Sequence, residues 1–280
     1  TQGWLFAVDS LLLRFVALVL YALTAILLSC YLMFERRASW QPFIMLYLVA
    51  ANFSIQADVM AALTQLLMVV ALGLSLRIDH AVDERRVIFS QFAFVATSSV
   101  LFPQFLLLLP LLLIYPAQCG KLSPKTFFAA LLGVAMPMWI GAALLYLFPA
   151  LHPMLDTLKL WLNDLLQTPS VVVTPSMLLR LCAEPLVTLP AIVHFLFTAT
   201  VGRTHLRRRV SFFIAIYVVL WLAGWLRPEL FTLYFVWRLP IISLLAAYIF
   251  PALPMKTSNI YFIATMLLWA ASAVVELWIA

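Results

Sequence analysis

The sequence predicts an all-α fold: a polytopic transmembrane helical bundle of about seven full spans, with a Pro-broken return hairpin and one amphipathic helix along the outer interface. Three observations carry this. Of 280 residues, 66% are apolar and only 10% charged, whereas a soluble domain carries about 25% charged residues. So few charges cannot cover a water-facing surface, and lipid is the solvent the composition requires. The apolar residues fall into runs long enough to cross a hydrocarbon core of about 30 Å at about 1.5 Å per residue. The basic residues behind the net charge of +6 sit in short loops between those runs. There they orient a membrane protein, which excludes a nucleic-acid partner.

No polar linker is long enough to divide the chain, so residues 1–280 read as one integral membrane domain. The sequence begins at Thr1 with neither Met nor a cleavable signal pattern, which leaves room for an upstream segment, another span included. Cys30, Cys119 and Cys182 lie far apart and mostly within apolar runs, which fits neither a disulfide framework nor a zinc site.

The first span runs from Leu11 to Phe34 and is closed by Glu35-Arg36-Arg37. Pro42 to Leu76 reads as a helical hairpin with short arms and a polar tip at Asn52–Asp58. Arg77 to Arg86 is a charged loop. Val87 to Tyr115 follows, interrupted by Ser98-Ser99 and Pro103. Proline removes a backbone donor and disfavours helix in the residue before it, so a turn near Leu101–Gln104 competes with one long tilted helix. Charge decides between them. A single crossing leaves seven Lys/Arg on each side of the membrane. A return gathers 12 on one side, Arg85, Arg86, Lys121, Lys125 and Arg207–Arg209 among them, against Lys159 and Arg227 opposite. Short loops follow the positive-inside bias, so the return hairpin is expected, with the 12 in the cytoplasm.

Spans at Pro124–Phe148, Ser176–Thr200, Val210–Leu226, Leu230–Phe250 and Thr257–Ile279 complete the set, with Gly202–Arg209 as a cytoplasmic loop anchor. His152–Gln167 spaces its polar residues for the outer amphipathic helix.

This topology places Asp9, Arg14, Asp58, Arg180, Glu184, Arg227, Glu229, Arg238 and Glu276 in the outer half of the membrane. Arg238 lies roughly 14 Å into its span by helical rise. A charge there costs at least ~2.5 kcal/mol, so a partner is required, and Glu184, roughly 12 Å deep by the same rise, is the preferred one. Two readings stay open. In one, Arg238, Glu184, Arg180 and Arg14 line an outward-facing polar pocket for a lipid phosphate headgroup, which the planar guanidinium fork suits. In the other, an Arg–Glu pair locks helices together, and the cations nearer the interface reach water.

His80, His152, His194 and His205 have no i, i+3 or i, i+4 partner among themselves, and there is no Glu-x-x-His, so no metal is expected. Nucleophile motifs and a Walker loop are absent, and no cofactor is expected. Tryptophans near span ends, Trp4, Trp139, Trp225 and Trp278 among them, read as an interfacial belt.

The run Arg86-Val87-Ile88-Phe89 through Ser98-Ser99-Val100-Leu101-Phe102-Pro103-Gln104-Phe105, then Lys125-Thr126-Phe127-Phe128 and Leu132–Pro137, resembles the helix–turn–helix and following span of C-type-fold membrane glycosyltransferases. It is also similar to a family of uncharacterised bacterial inner-membrane proteins. The resemblance covers roughly Ala17–Phe148 and rests on hydrophobic pattern with a few Gly, Pro and Ser positions. It implies polyprenyl-phosphate-sugar chemistry on the outer face with an acidic residue as base, to which Asp9 corresponds and for which Asp58 is the alternative. Asp9 has no second acid beside it, and no large outer domain is expected after the last span. The expectation is therefore a non-catalytic subunit or scaffold of an envelope assembly in the bacterial inner membrane. Its expected partners are membrane lipids and membrane proteins. A glycosyltransferase or carrier of lipid-linked saccharides comes second, and a secondary transporter third.

Overall fold

The computed structural model describes residues 2–31, 44, 49, 59–148, 175–198, 204–227, 230–249 and 255–279. Among them are eight long helices and no strand: α1 (Gln2–Tyr31), α2 (Val59–Arg77), α3 (Glu84–Leu101), α4 (Pro124–Leu147), α5 (Pro175–Thr198), α6 (Thr204–Leu226), α7 (Phe231–Ile249) and α8 (Met255–Ile279). Six of these are long and apolar enough to cross a membrane, and Pro103–Gln118 and Phe231–Ala246 are shorter apolar helical stretches. The protein is a multi-pass helical membrane protein. Two compact units divide it, Thr1–Leu66 with Val171–Ala280, and Leu67–Ser170, the boundary falling within α2.

The unit Leu67–Ser170 is built on the turn at Phe102. Asp83 caps α3 by accepting the Arg85 N–H (3.2 Å), and Glu84 in the first turn complements the helix dipole. Pro103 ends α3. It forces Phe102 into extended backbone (φ −133, ψ 100) and opens a 3-10 turn, Pro103–Leu107, continued by the short helices Leu108–Leu112 and Ile114–Gln118. This arm comes back along α3. Gln91 Nε2 donates to the Leu112 carbonyl (3.4 Å), and Lys121 is ion-paired with Glu84, both pairs centred on Phe102.

The arm ends in a Schellman turn. Gly120, at φ +69, donates to the Ala117 carbonyl, and Lys121 donates to that of Pro116. A capping box then starts α4: Ser123 and Thr126 exchange backbone and side-chain hydrogen bonds, with Pro124 at the first helical position. Because the arm has returned, α4 runs parallel to α3. Gly133 sits at Phe89 and Phe92, and Gly141 at Val100. A Cβ on Gly133 would lie 2.5 Å from the Phe89 carbonyl oxygen, so the close helix approach requires glycine there. The opposite face of α4 exposes Phe128, Leu132 and Trp139, which is the surface a lipid-facing helix carries.

In the other unit α7 is central. Almost every described side chain from Phe231 to Ala246 is buried, as expected of a helix apolar all round. It packs against both α5 and α6, which scarcely touch each other, and α8 packs on α5. On α1 one stripe, Ala17, Tyr21, Thr24, Ala25 and Leu28, is buried.

The first apolar span starts at Leu12, one residue from the expected Leu11, within a helix that begins already at Gln2. Other expected boundaries move. The Gly202–Arg209 anchor is not a loop from Thr204 onward: Arg207–Arg209 occupy the first turns of α6. Arginine is a good helix former, and its long side chain reaches water from inside a helix. The Arg77–Arg86 loop shrinks likewise, because Ile78–His80 forms a 3-10 turn and Asp83 starts α3. The Asn52–Asp58 tip and the His152–Gln167 outer helix lie outside the described residues.

Candidate functional site

The charges expected deep in the bilayer meet in the unit centred on α7. Arg238 Nη2 donates to Glu184 Oε1 at 2.7 Å, and both side chains are 0% exposed. The pairing expected from depth alone is present. Arg238 is held further by α6, where Nη1 donates to the Leu220 carbonyl at 2.9 Å. Its guanidinium carbon lies 5.3 Å from the Phe231 ring centre, cation–π range. One side chain thus ties α5, α6 and α7 together.

Gly224 makes room for this clasp. A Cβ there would lie 2.8 Å from Arg238 Nη1. Among the described residues Glu184 Oε2 and Arg238 Nε have no hydrogen-bond partner, so the carboxylate engages through one oxygen only. Arg180, one turn before Glu184, is also buried (4% exposed), with its guanidinium 5.3 Å from the Phe235 ring centre. Arg14, grouped with these from the sequence, is exposed on α1. Arg227 follows the end of α6 at intermediate exposure. Asp9 lies in α1 and Glu276 in α8, but their side chains, like Asp58 and Glu229 altogether, fall outside those described.

Sequence reasoning missed a second arrangement. Pro240 has no N–H, so the Val236 carbonyl four residues earlier loses its helical partner. Gln65 Nε2 fills that place at 2.6 Å, and next to it Trp237 Nε1 donates to Thr64 Oγ1 at 3.2 Å. The signal was in the chain, since a proline inside a buried span implies an orphan carbonyl and a polar side chain elsewhere to satisfy it. Separately, Tyr261 on α8 donates to the Val187 carbonyl of α5, tying these two helices together.

Beside the clasp, α5 and α6 frame a groove of about 650 Å³, lined by Met177, Leu178, Leu181, Cys182, Pro185, Leu186, Leu189, Trp221, Gly224 and Trp225. Its walls are apolar, and the ion pair closes inward behind them. Among the described residues no three His, Cys, Asp or Glu gather in a group able to hold a metal ion. No protein-family model, curated protein or solved structure matches this chain.

Proposed function

We propose that the protein is a non-catalytic subunit or scaffold of an envelope assembly in the bacterial inner membrane. The observation that carries this reading is the closure of the clasp. The membrane-embedded charges Arg238 and Glu184 are spent on each other and on the Leu220 carbonyl, with no exposed surface left. An ion pair enclosed in this way ties α5, α6 and α7 together, and removing either partner would leave an uncompensated buried charge. An outward-facing polar pocket belongs to the proposal only in a conformation in which α5 parts from α7. The test is a pull-down of the tagged full chain from native membranes in mild detergent. Stoichiometric membrane-protein partners support the scaffold, and a monodisperse single chain under all extraction conditions refutes it.

A second reading, an enzyme or carrier for lipid-linked saccharides akin to the C-type-fold transferases, draws on the return hairpin and on the unpartnered Glu184 Oε2 and Arg238 Nε. It requires Asp9 or Asp58 as base. Loss of cellular function on replacing either acid by Asn, with the protein still present in the membrane, would favour this reading over the scaffold.

A further inference from the structure

We infer that the Arg238–Glu184 clasp is built to hold one internal water, which accepts from Arg238 Nε and donates to Glu184 Oε2 and the Tyr217 hydroxyl. This site stands independently of the scaffold reading. Arg238 and Glu184 are 0% exposed, and their 2.7 Å contact joins Nη2 to Oε1. Arg238 Nε and Glu184 Oε2 flank that contact, each two bonds from one of its atoms. Neither has a hydrogen-bond partner among the described residues, so the fork such a pair can close is open on one side. A charged donor and a charged acceptor left so out of water are costly, and one water satisfies both at once. An ion of either sign would meet a like charge there, and nothing larger reaches two groups with no exposed surface.

The third partner comes from α6. Tyr217 is 4% exposed, and its hydroxyl likewise has no hydrogen-bond partner among the described residues. It stands next to Thr188, with Glu184 and Arg238 within electrostatic range. Thr188 Oγ1 has no proton to give it, because that proton goes to the Glu184 backbone carbonyl at 3.0 Å. Tyr217 also lies one turn before Leu220, whose carbonyl holds Arg238 Nη1 at 2.9 Å. A buried water makes about three hydrogen bonds, the number that Nε, Oε2 and the hydroxyl together offer. Since α5 and α6 scarcely touch each other, the Tyr217–water–Glu184 bridge is a polar link between them.

Two measurements on the full chain in detergent test this. The first is an experimental structure at a resolution that shows ordered solvent. It should place a water within about 3.2 Å of Arg238 Nε, Glu184 Oε2 and the Tyr217 oxygen. A closed two-bond fork between Arg238 and Glu184, a direct Tyr217–Glu184 bond, or no water at this point overturns the proposal. The second is the melting temperature of Tyr217→Phe in two backgrounds. In the parent the change removes one of the water's partners and should lower the melting temperature by about 2–4 °C. In the Glu184→Leu/Arg238→Leu variant the water has lost its charged partners, and the same change should do little. An equal loss in both backgrounds means that the hydroxyl serves Thr188 alone, which overturns its assignment to the water. If the double variant does not fold, the structure of the parent decides.

Discussion

Replacing Arg238 or Glu184 singly, and then both together, separates the energy of the clasp from the cost of breaking it. Arg238→Leu leaves Glu184 fully buried with neither carboxylate oxygen paired. Glu184→Leu leaves Arg238 with only the Leu220 carbonyl as acceptor and the Phe231 ring beneath it. Removing one member of a buried pair costs about 3–5 kcal/mol, because the survivor keeps an uncompensated charge, whereas replacing both with apolar groups is often neutral. Each single variant should therefore lose about 3–5 kcal/mol, and the double variant should recover most of that loss. The assay is reversible denaturant unfolding of the four proteins in micelles, read by tryptophan fluorescence and evaluated as a double-mutant cycle. Additive losses, with the double variant about 6 kcal/mol or more below the parent, would refute the claim that the two charges serve each other. Expression of the double variant in cells adds a functional readout. Full activity means the clasp is structural, and loss of activity in a stable protein means the charges do more than hold helices.

Gln65→Leu strips the donor from the Val236 carbonyl and should cost about 1–3 kcal/mol. Adding Pro240→Ala, whose N–H can reach that carbonyl, should restore most of it in the same unfolding assay. Gly133→Ala places a methyl against the Phe89 backbone and should destabilise by about 1–3 kcal/mol. Gly224→Ala places a methyl 2.8 Å from Arg238 Nη1, which Glu184 and the Leu220 carbonyl hold in place, and should likewise lower the melting temperature by displacing the guanidinium from the Leu220 carbonyl. The Glu84 carboxylate, by hydrogen bond and by charge, raises the Lys121 ammonium above its usual value of 10.5. Its contribution is therefore complete below pH 10.5 and fades as pH climbs through the raised value. Melting temperature measured from pH 8 to 11.5 should show an alkaline decline that is shallower in Lys121→Gln and weaker in high salt.

The return hairpin was legible because two independent signals met at one place: Pro103 broke the helical run, and the lysines and arginines made sense on one side only if the chain came back. The Arg238–Glu184 pairing was legible because depth in lipid makes a lone charge too costly, leaving few candidates. Its remaining contacts were not. The Leu220 carbonyl is a backbone atom with no sequence signature, and Gly224 reads as any small residue in a span. Arg14 was grouped with the clasp by leaflet depth alone. Depth does not say which way a helix faces, and the structure leaves Arg14 exposed on α1. The Arg207–Arg209 run was read as a loop because charge was taken for a break, although arginine ends of membrane helices stay helical while their side chains reach out.

The central claim is that the chain reverses at Phe102–Pro103, so that α3 and α4 start from the same membrane face and run parallel. Cysteines placed at Arg85 and Lys125 in spheroplasts, labelled with a membrane-impermeant maleimide before and after lysis, test it most directly. Both should react only after lysis, and a Glu84→Cys/Lys121→Cys pair should crosslink in intact membranes. Labelling of Arg85 and Lys125 from opposite faces would contradict the account.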